Sequence, residues 1–127
     1  MKTNFENLEI FKLSERLADN IWNLVIRWDA FSKKTIGSQL VNAADGVGSN
    51  IAEGSGKGSY LDFRRYIKIA RGSLYETKYW LRRAYERKLI SDDESIGLNP
   101  MLDELLPRLN AFKNYLDKQI RNNKILD

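Results

Sequence analysis

Arg64, Lys68, Arg71, Tyr75, Lys78 and Arg82 follow one another in steps of four and three, with Arg65 and Arg83 beside them. On a helix turning ~100° per residue, these six side chains fall within about 80° of one another. Cations aligned in this way neutralise successive phosphates of a nucleic-acid backbone, and Tyr75 among them offers a ring for stacking on an exposed base. The same pattern describes a solvated helix face whose charges pair with acids on neighbouring helices. Both readings stand at the level of sequence. The charge distribution gives the first its interest. Residues 57–90 hold 10 Lys or Arg against 3 Asp or Glu, whereas the whole chain of 127 residues is only +4. The excess positive charge thus belongs to one segment, and the rest of the chain is net acidic.

Other constellations point away from catalysis. The chain has no histidine and no cysteine. It therefore lacks the commonest general base, the thiolate nucleophile and the usual transition-metal ligands. Gly54-Ser55-Gly56-Lys57-Gly58-Ser59 resembles a phosphate-binding loop in composition. It departs in detail, because Gly58 rather than Ser or Thr follows Lys57, and a helix rather than a strand precedes it. An interhelical turn is the preferred reading. Asn50, Glu53, Arg64 and Glu76 read as capping and buried polar contacts, with Glu53 against Arg64 or Arg65. A two-metal bundle site normally includes Glu-x-x-His pairs, which this chain cannot supply. No enzyme activity and no cofactor are expected.

The elements that must position these residues are helices. Apolar positions recur with helical period in four segments, and none shows sustained alternation. The first helix is predicted from about Leu8 to Trp28, broken by Asp29-Ala30-Phe31-Ser32. The second runs from about Lys34 to Glu53, with Ile36, Leu40, Ala44, Val47 and Ile51 inward. Gly46 and Gly48 inside it mark places where a neighbouring helix comes close. The three glycines of the following break can take left-handed conformations that end a helix. Ser59 with Asp62 caps a third helix from Tyr60 to about Lys88, and Ser91 with Glu94 opens a fourth that ends near Arg121. The seams are Phe63, Ile67, Ala70, Leu74, Thr77, Leu81 and Ala84 on the third, and Leu98, Leu102, Leu105, Leu109, Phe112 and Leu116 on the fourth. Steps of four and three favour crossings near 20°, the geometry of a bundle. Short connections predict a single all-α domain over residues 1–127, an antiparallel up-down-up-down four-helix bundle. Its ends should fray over about 1–6 and 122–127. Pro100 is tolerable at a helix start, and Pro107 should kink the fourth helix.

With the second and third helices placed, a family resemblance emerges. Ser49-Asn50-Ile51-Ala52-Glu53-Gly54, Ser59, Asp62-Phe63-Arg64-Arg65-Tyr66 and Ala70-Arg71-Gly72-Ser73-Leu74-Tyr75-Glu76 resemble the 23S rRNA intervening-sequence protein family. That family includes the accessory protein of diversity-generating retroelements. The resemblance spans roughly Leu8 to Leu116. It implies a four-helix bundle assembling as a bacterial homopentameric barrel, with a non-enzymatic role involving RNA or DNA through the basic surface. In the retroelement branch it implies a reverse transcriptase as partner. The alternative is a protein-interaction scaffold that docks an acidic partner protein.

Surplus apolar side chains carry the expectation of assembly. Trp22 and Ile26 lie off the core face of the first helix, and Ile69 and Trp80 flank the seam of the third. A monomeric bundle needs one apolar face per helix, so these four are the expected subunit contacts. The alternative is a wide core face. No stretch reaches the length of a membrane span, and residues 1–6 have no signal-peptide core, so a cytoplasmic location is expected.

Overall fold

The computed structural model describes residues 4–126, and side chains through residue 123. All of the regular structure among these residues is helical, and no strand occurs there. The four long helices are α1 (Glu9–Val25), α2 (Ser38–Ser55), α3 (Tyr60–Glu86) and α4 (Asp92–Leu126). No helix among the described residues is long and apolar enough to cross a membrane.

Each boundary has a local cause. A 3-10 turn, Phe5–Asn7, is capped by the Asn4 side chain and leads into α1. After α1 the chain breaks more briefly than the sequence suggests. Asp29 accepts a hydrogen bond from Ser32 N–H at 3.0 Å and so caps a new helical turn at Ala30–Ser32. That turn continues through a π-helical stretch, Lys33–Gly37, directly into α2. Ala30, Phe31 and Ser32 therefore belong to the helical run and not to the break.

Between α2 and α3 only Gly58 uses a left-handed conformation, at φ 86°. Gly56 stays right-handed, and Gly54 is buried inside the last turns of α2. Ser59 Oγ accepts from Asp62 N–H at 3.1 Å and fixes the start of α3. At the far end Lys88 takes φ 63°, while Leu89 N–H reaches Ala84 O at 2.9 Å and Lys88 N–H reaches Tyr85 O at 3.0 Å. This is a Schellman closure with lysine where glycine is usual. Ser91 and Glu94 then form a reciprocal capping box, at 2.8 Å and 3.1 Å.

The predicted seams are the core. Leu17, Ile21, Leu40, Val47, Ile51, Leu74, Leu105, Leu109 and Leu116 are fully buried, with Phe63 and Ile67 nearly so. Thr77 is the polar member of the α3 seam, and its hydroxyl donates to Ser73 O at 2.8 Å. Phe112 is half-buried and meets Phe63 edge-on at 5.2 Å. Gly46 and Gly48 are indeed points of close approach. A Cβ on Gly46 would lie 3.0 Å from Ser73 Oγ of α3, and one on Gly48 would lie 3.0 Å from Ser14 Oγ of α1. The two glycines thus admit different neighbours on opposite sides of α2.

Helix α4 departs from expectation at Pro100 and at its end. It starts at Asp92, so Pro100 is interior rather than initial, and it runs on as one helix through Pro107 to Leu126. Each proline removes the donor for the carbonyl four residues earlier, at Ile96 and Asp103. All four residues are exposed, so water can hydrate the freed carbonyls. Residues 122–126 continue the helix, and 5–7 form a 3-10 turn. The rest of the expected fraying, at 1–3 and 127, lies outside the described residues.

Candidate nucleic-acid interface

Helix α3 carries the cationic residues at positions that the fold divides into two groups. Arg64 and Arg71 turn toward α4. Arg64 Nη1 donates to Asp117 Oδ1 at 2.9 Å, and Arg71 Nη1 donates to Asn110 Oδ1 at 3.0 Å. Both arginines are half-buried. Lys113 Nζ reaches the other oxygen of Asp117 at 2.8 Å. The hydrogen bonds from Lys113 and Arg64 hold the Asp117 carboxyl down at about 2. The stripe therefore borders the α3–α4 contact.

The other cations, Arg83 apart, face outward. Arg65, Lys68 and Lys78 are exposed and make no ion pair among the described residues. Arg65 lies 4.6 Å from the centre of the Tyr66 ring, a cation–π contact that leaves its charge unneutralised. Arg82 and Arg83 share Glu86, at 2.8 Å and 2.9 Å. The hydrogen bond from Arg82 is the main cause of the lowered Glu86 carboxyl and of the raised Arg82 guanidinium. Arg82 remains 80% exposed, so this pair is a weak surface contact.

Tyr75, Lys78 and Arg82 also line a cleft of about 530 Å³ between α3 and α4. Tyr79 and Tyr85 join them on the α3 side, and Ser95 and Asn99 form the opposite wall. Its floor is apolar, built from Leu81, Ile90, Leu98 and Leu102. Tyr85 donates its hydroxyl to Asp92 at 2.5 Å, which raises the pKa of the phenol and ties this side chain of α3 to the start of α4. The sequence reading included Tyr75 but missed Tyr79, Tyr85, Ser95 and Asn99. A signal for the first two was present, because residues 75, 79, 82 and 85 recur in helical steps. Nothing in sequence pairs them with Ser95 and Asn99.

The glycine-rich turn offers a connection and little else. Lys57 pairs with Glu53 at 3.8 Å. That contact replaces the expected pairing of Glu53 with Arg64 or Arg65, because Arg64 is taken by Asp117 on the other side of α3. Asn50 Nδ2 donates to Gly46 O at 2.7 Å, and Glu76 accepts from Trp80 Nε1 at 3.4 Å. No group of His, Cys, Asp or Glu side chains among the described residues could hold a metal ion.

Of the four expected subunit contacts, Trp22, Ile26 and Ile69 are exposed, at 54%, 50% and 42%. Trp80 differs, because it is half-buried and packs against the core. Its ring serves the bundle itself, with Tyr79 edge-on at 4.9 Å.

The residues from Asn50 to Tyr66 thus build one hairpin: a helix end, a glycine turn, a capped start and a tight contact at Gly54. Residues 6–111 match the 23S rRNA-intervening sequence protein family. The chain belongs to that family. A solved member of the S23 ribosomal protein family from Bacteroides thetaiotaomicron, described as a protein of unknown function, has a similar fold. It superimposes with a TM-score of 0.73 at 23% identity, over 82% of this chain and 97% of that one. No curated protein matches the chain in sequence. Family membership and the similar solved fold thus agree on a helical-bundle architecture.

Proposed function

We propose that this protein is a non-enzymatic up-down-up-down bundle that closes with copies of itself into a pentameric ring. In the cytoplasm it binds nucleic acid, RNA or DNA, with little sequence preference. The observation that carries this reading is the set of three exposed cations, Arg65, Lys68 and Lys78, left without an ion pair among the described residues. They lie on the segment that holds the chain's excess positive charge. Unpaired cations beside an exposed tyrosine suit a phosphate backbone, which releases counterions on binding. A ring repeats the surface in every subunit, and repeated weak sites raise affinity through effective concentration.

The test is an anisotropy titration with labelled oligonucleotides across a salt series. Binding should weaken as salt rises. Arg65→Glu/Lys68→Glu/Lys78→Glu should weaken it further and flatten the logarithmic salt slope by about 2 for three lost phosphate contacts on a single strand. Arg64 and Arg71 are left alone because changing them disturbs the α3–α4 contact. Wild-type protein without affinity at low salt would refute the reading. Capture of a defined acidic partner protein that survives nuclease treatment, by a protein inert to nucleic acid, would instead support the scaffold alternative.

A further inference from the structure

The cleft between α3 and α4 has a lining that the cationic stripe does not explain. Tyr75 and Tyr79 are one helical turn apart, and each is 54% exposed. Their rings stand at the mouth of the cleft above a floor that includes Leu98 and Leu102. Exposed aromatic rings over an apolar floor present flat surfaces to a flat ligand. The cations sit at the rim, with Lys78 unpaired and Arg82 held by one weak surface contact. Across from them Asn99 donates its amide hydrogen to Ser95 Oγ at 3.1 Å. Its carbonyl oxygen makes no hydrogen bond among the described residues, and can accept from a ligand. The volume of about 530 Å³ lies within the range of roughly 300–1,000 Å³ common to small-ligand clefts.

We infer that this cleft is a nucleobase pocket, in which an unpaired base of a single-stranded nucleic acid stacks on Tyr75 and Tyr79 while Lys78 and Arg82 take its flanking phosphates. The inference rests on the nucleic-acid reading and adds a ligand class and a place to it. A duplex keeps its bases stacked on one another, and the faces needed here are then hidden. An apolar partner helix fits less well, because it would desolvate Lys78 and Arg82 without compensation. A free nucleotide would use the cleft alone. A strand also uses Lys68 and Arg65, which continue the same helix beyond Tyr75.

The experiment uses the full chain at low salt, with a short single-stranded oligonucleotide carrying 2-aminopurine and a duplex of the same sequence. Fluorescence reads stacking, and anisotropy reads binding. The single strand should bind more tightly than the duplex, and its 2-aminopurine should be quenched on binding. Tyr75→Ala/Tyr79→Ala should weaken single-strand binding roughly tenfold or more and remove the quench, with little effect on the duplex. Tyr75→Phe/Tyr79→Phe keeps both rings and should behave as wild type, which separates stacking from any loss of fold. Equal affinity for both forms, or an unchanged quench in the alanine variant, would overturn the pocket. The cationic reading would survive that result if Arg65→Glu/Lys68→Glu/Lys78→Glu still weakened binding. An acidic peptide that competes with the single strand and depends equally on the two rings would also overturn the pocket. Absence of any binding at low salt would remove both.

Discussion

Asp117 accepts two cations at once, Lys113 from its own helix at 2.8 Å and Arg64 from α3 at 2.9 Å. One carboxylate thereby joins the third and fourth helices and withdraws one arginine from the cationic surface. Further along, Arg71 meets Asn110, and Tyr85 meets Asp92. As the number rises on α3 it falls on α4, so these polar contacts fix the opposed register of the two helices.

The Asp117 cluster predicts a specific acid sensitivity. Its carboxyl titrates at about 2 in the folded chain, below the ordinary value of 3.8, chiefly through the hydrogen bonds from Lys113 and Arg64. A depressed carboxyl contributes stability that is present above its unfolded pKa and is lost as pH falls through the folded one. The contribution should therefore be complete above about pH 4 and should disappear between about pH 4 and pH 2. Carboxyl NMR titration should place Asp117 well below the ordinary aspartate value of 3.8. Arg64→Gln should move that midpoint upward, and an unmoved midpoint would show that Lys113 acts alone.

Gly54 and Gly72 should respond to alanine in opposite senses. A Cβ on Gly54 would lie 2.6 Å from the Tyr66 Cβ and 3.0 Å from Phe63 Cδ1, so α2 and α3 would have to separate. Gly54→Ala should cost about 1–3 kcal/mol, the usual range for overpacking. Gly72 is exposed in the middle of α3 with nothing within 4 Å of an added Cβ. Gly72→Ala should gain up to about 1 kcal/mol from helix propensity. Urea denaturation of both variants checks the pair, and destabilisation of similar size in each would contradict it.

Lys88 closes α3 in a left-handed conformation that a lysine side chain disfavours. Lys88→Gly should stabilise the chain by ~1 kcal/mol, because glycine carries no Cβ penalty at this position. Thermal melts should show a raised midpoint. A lowered one would mean that the lysine side chain contributes more than its backbone costs.

The proposed ring is best probed at Trp22, which is exposed and leaves the core intact. Trp22→Glu should reduce the assembly to smaller species in light scattering, with helical content unchanged. Trp80 is a poorer site for the same test, since charge there would strike the core before any interface. A wild-type protein that stays monomeric at micromolar concentration would exclude the ring.

Local patterns in the sequence were enough for the helices and for the faces they bury. The seams of α3 and α4 could be read because helical period alone fixes which side chains share a face. The turns at Ser59 and Ser91 could be read because capping involves residues three apart. The same locality explains the errors. Lys88 closes α3 without the glycine that usually marks such a position. The prolines of α4 were tolerated because their outer face meets water, which depends on how the helix is turned within the bundle.

The cationic stripe shows the division most clearly. Its composition and its alignment on one face were determined by sequence. Glu86, in the same helix, takes Arg82 and Arg83, but Arg64 and Arg71 are taken by residues 53 and 39 positions away, Asp117 and Asn110. A helical wheel gives the direction of a side chain about its own axis and nothing of what stands opposite. The cleft at Tyr75 has the same origin, since one wall belongs to α3 and the other to α4. Helical period is a property of consecutive residues, whereas the pairing of charges and the shape of a cleft depend on two helices meeting in one register.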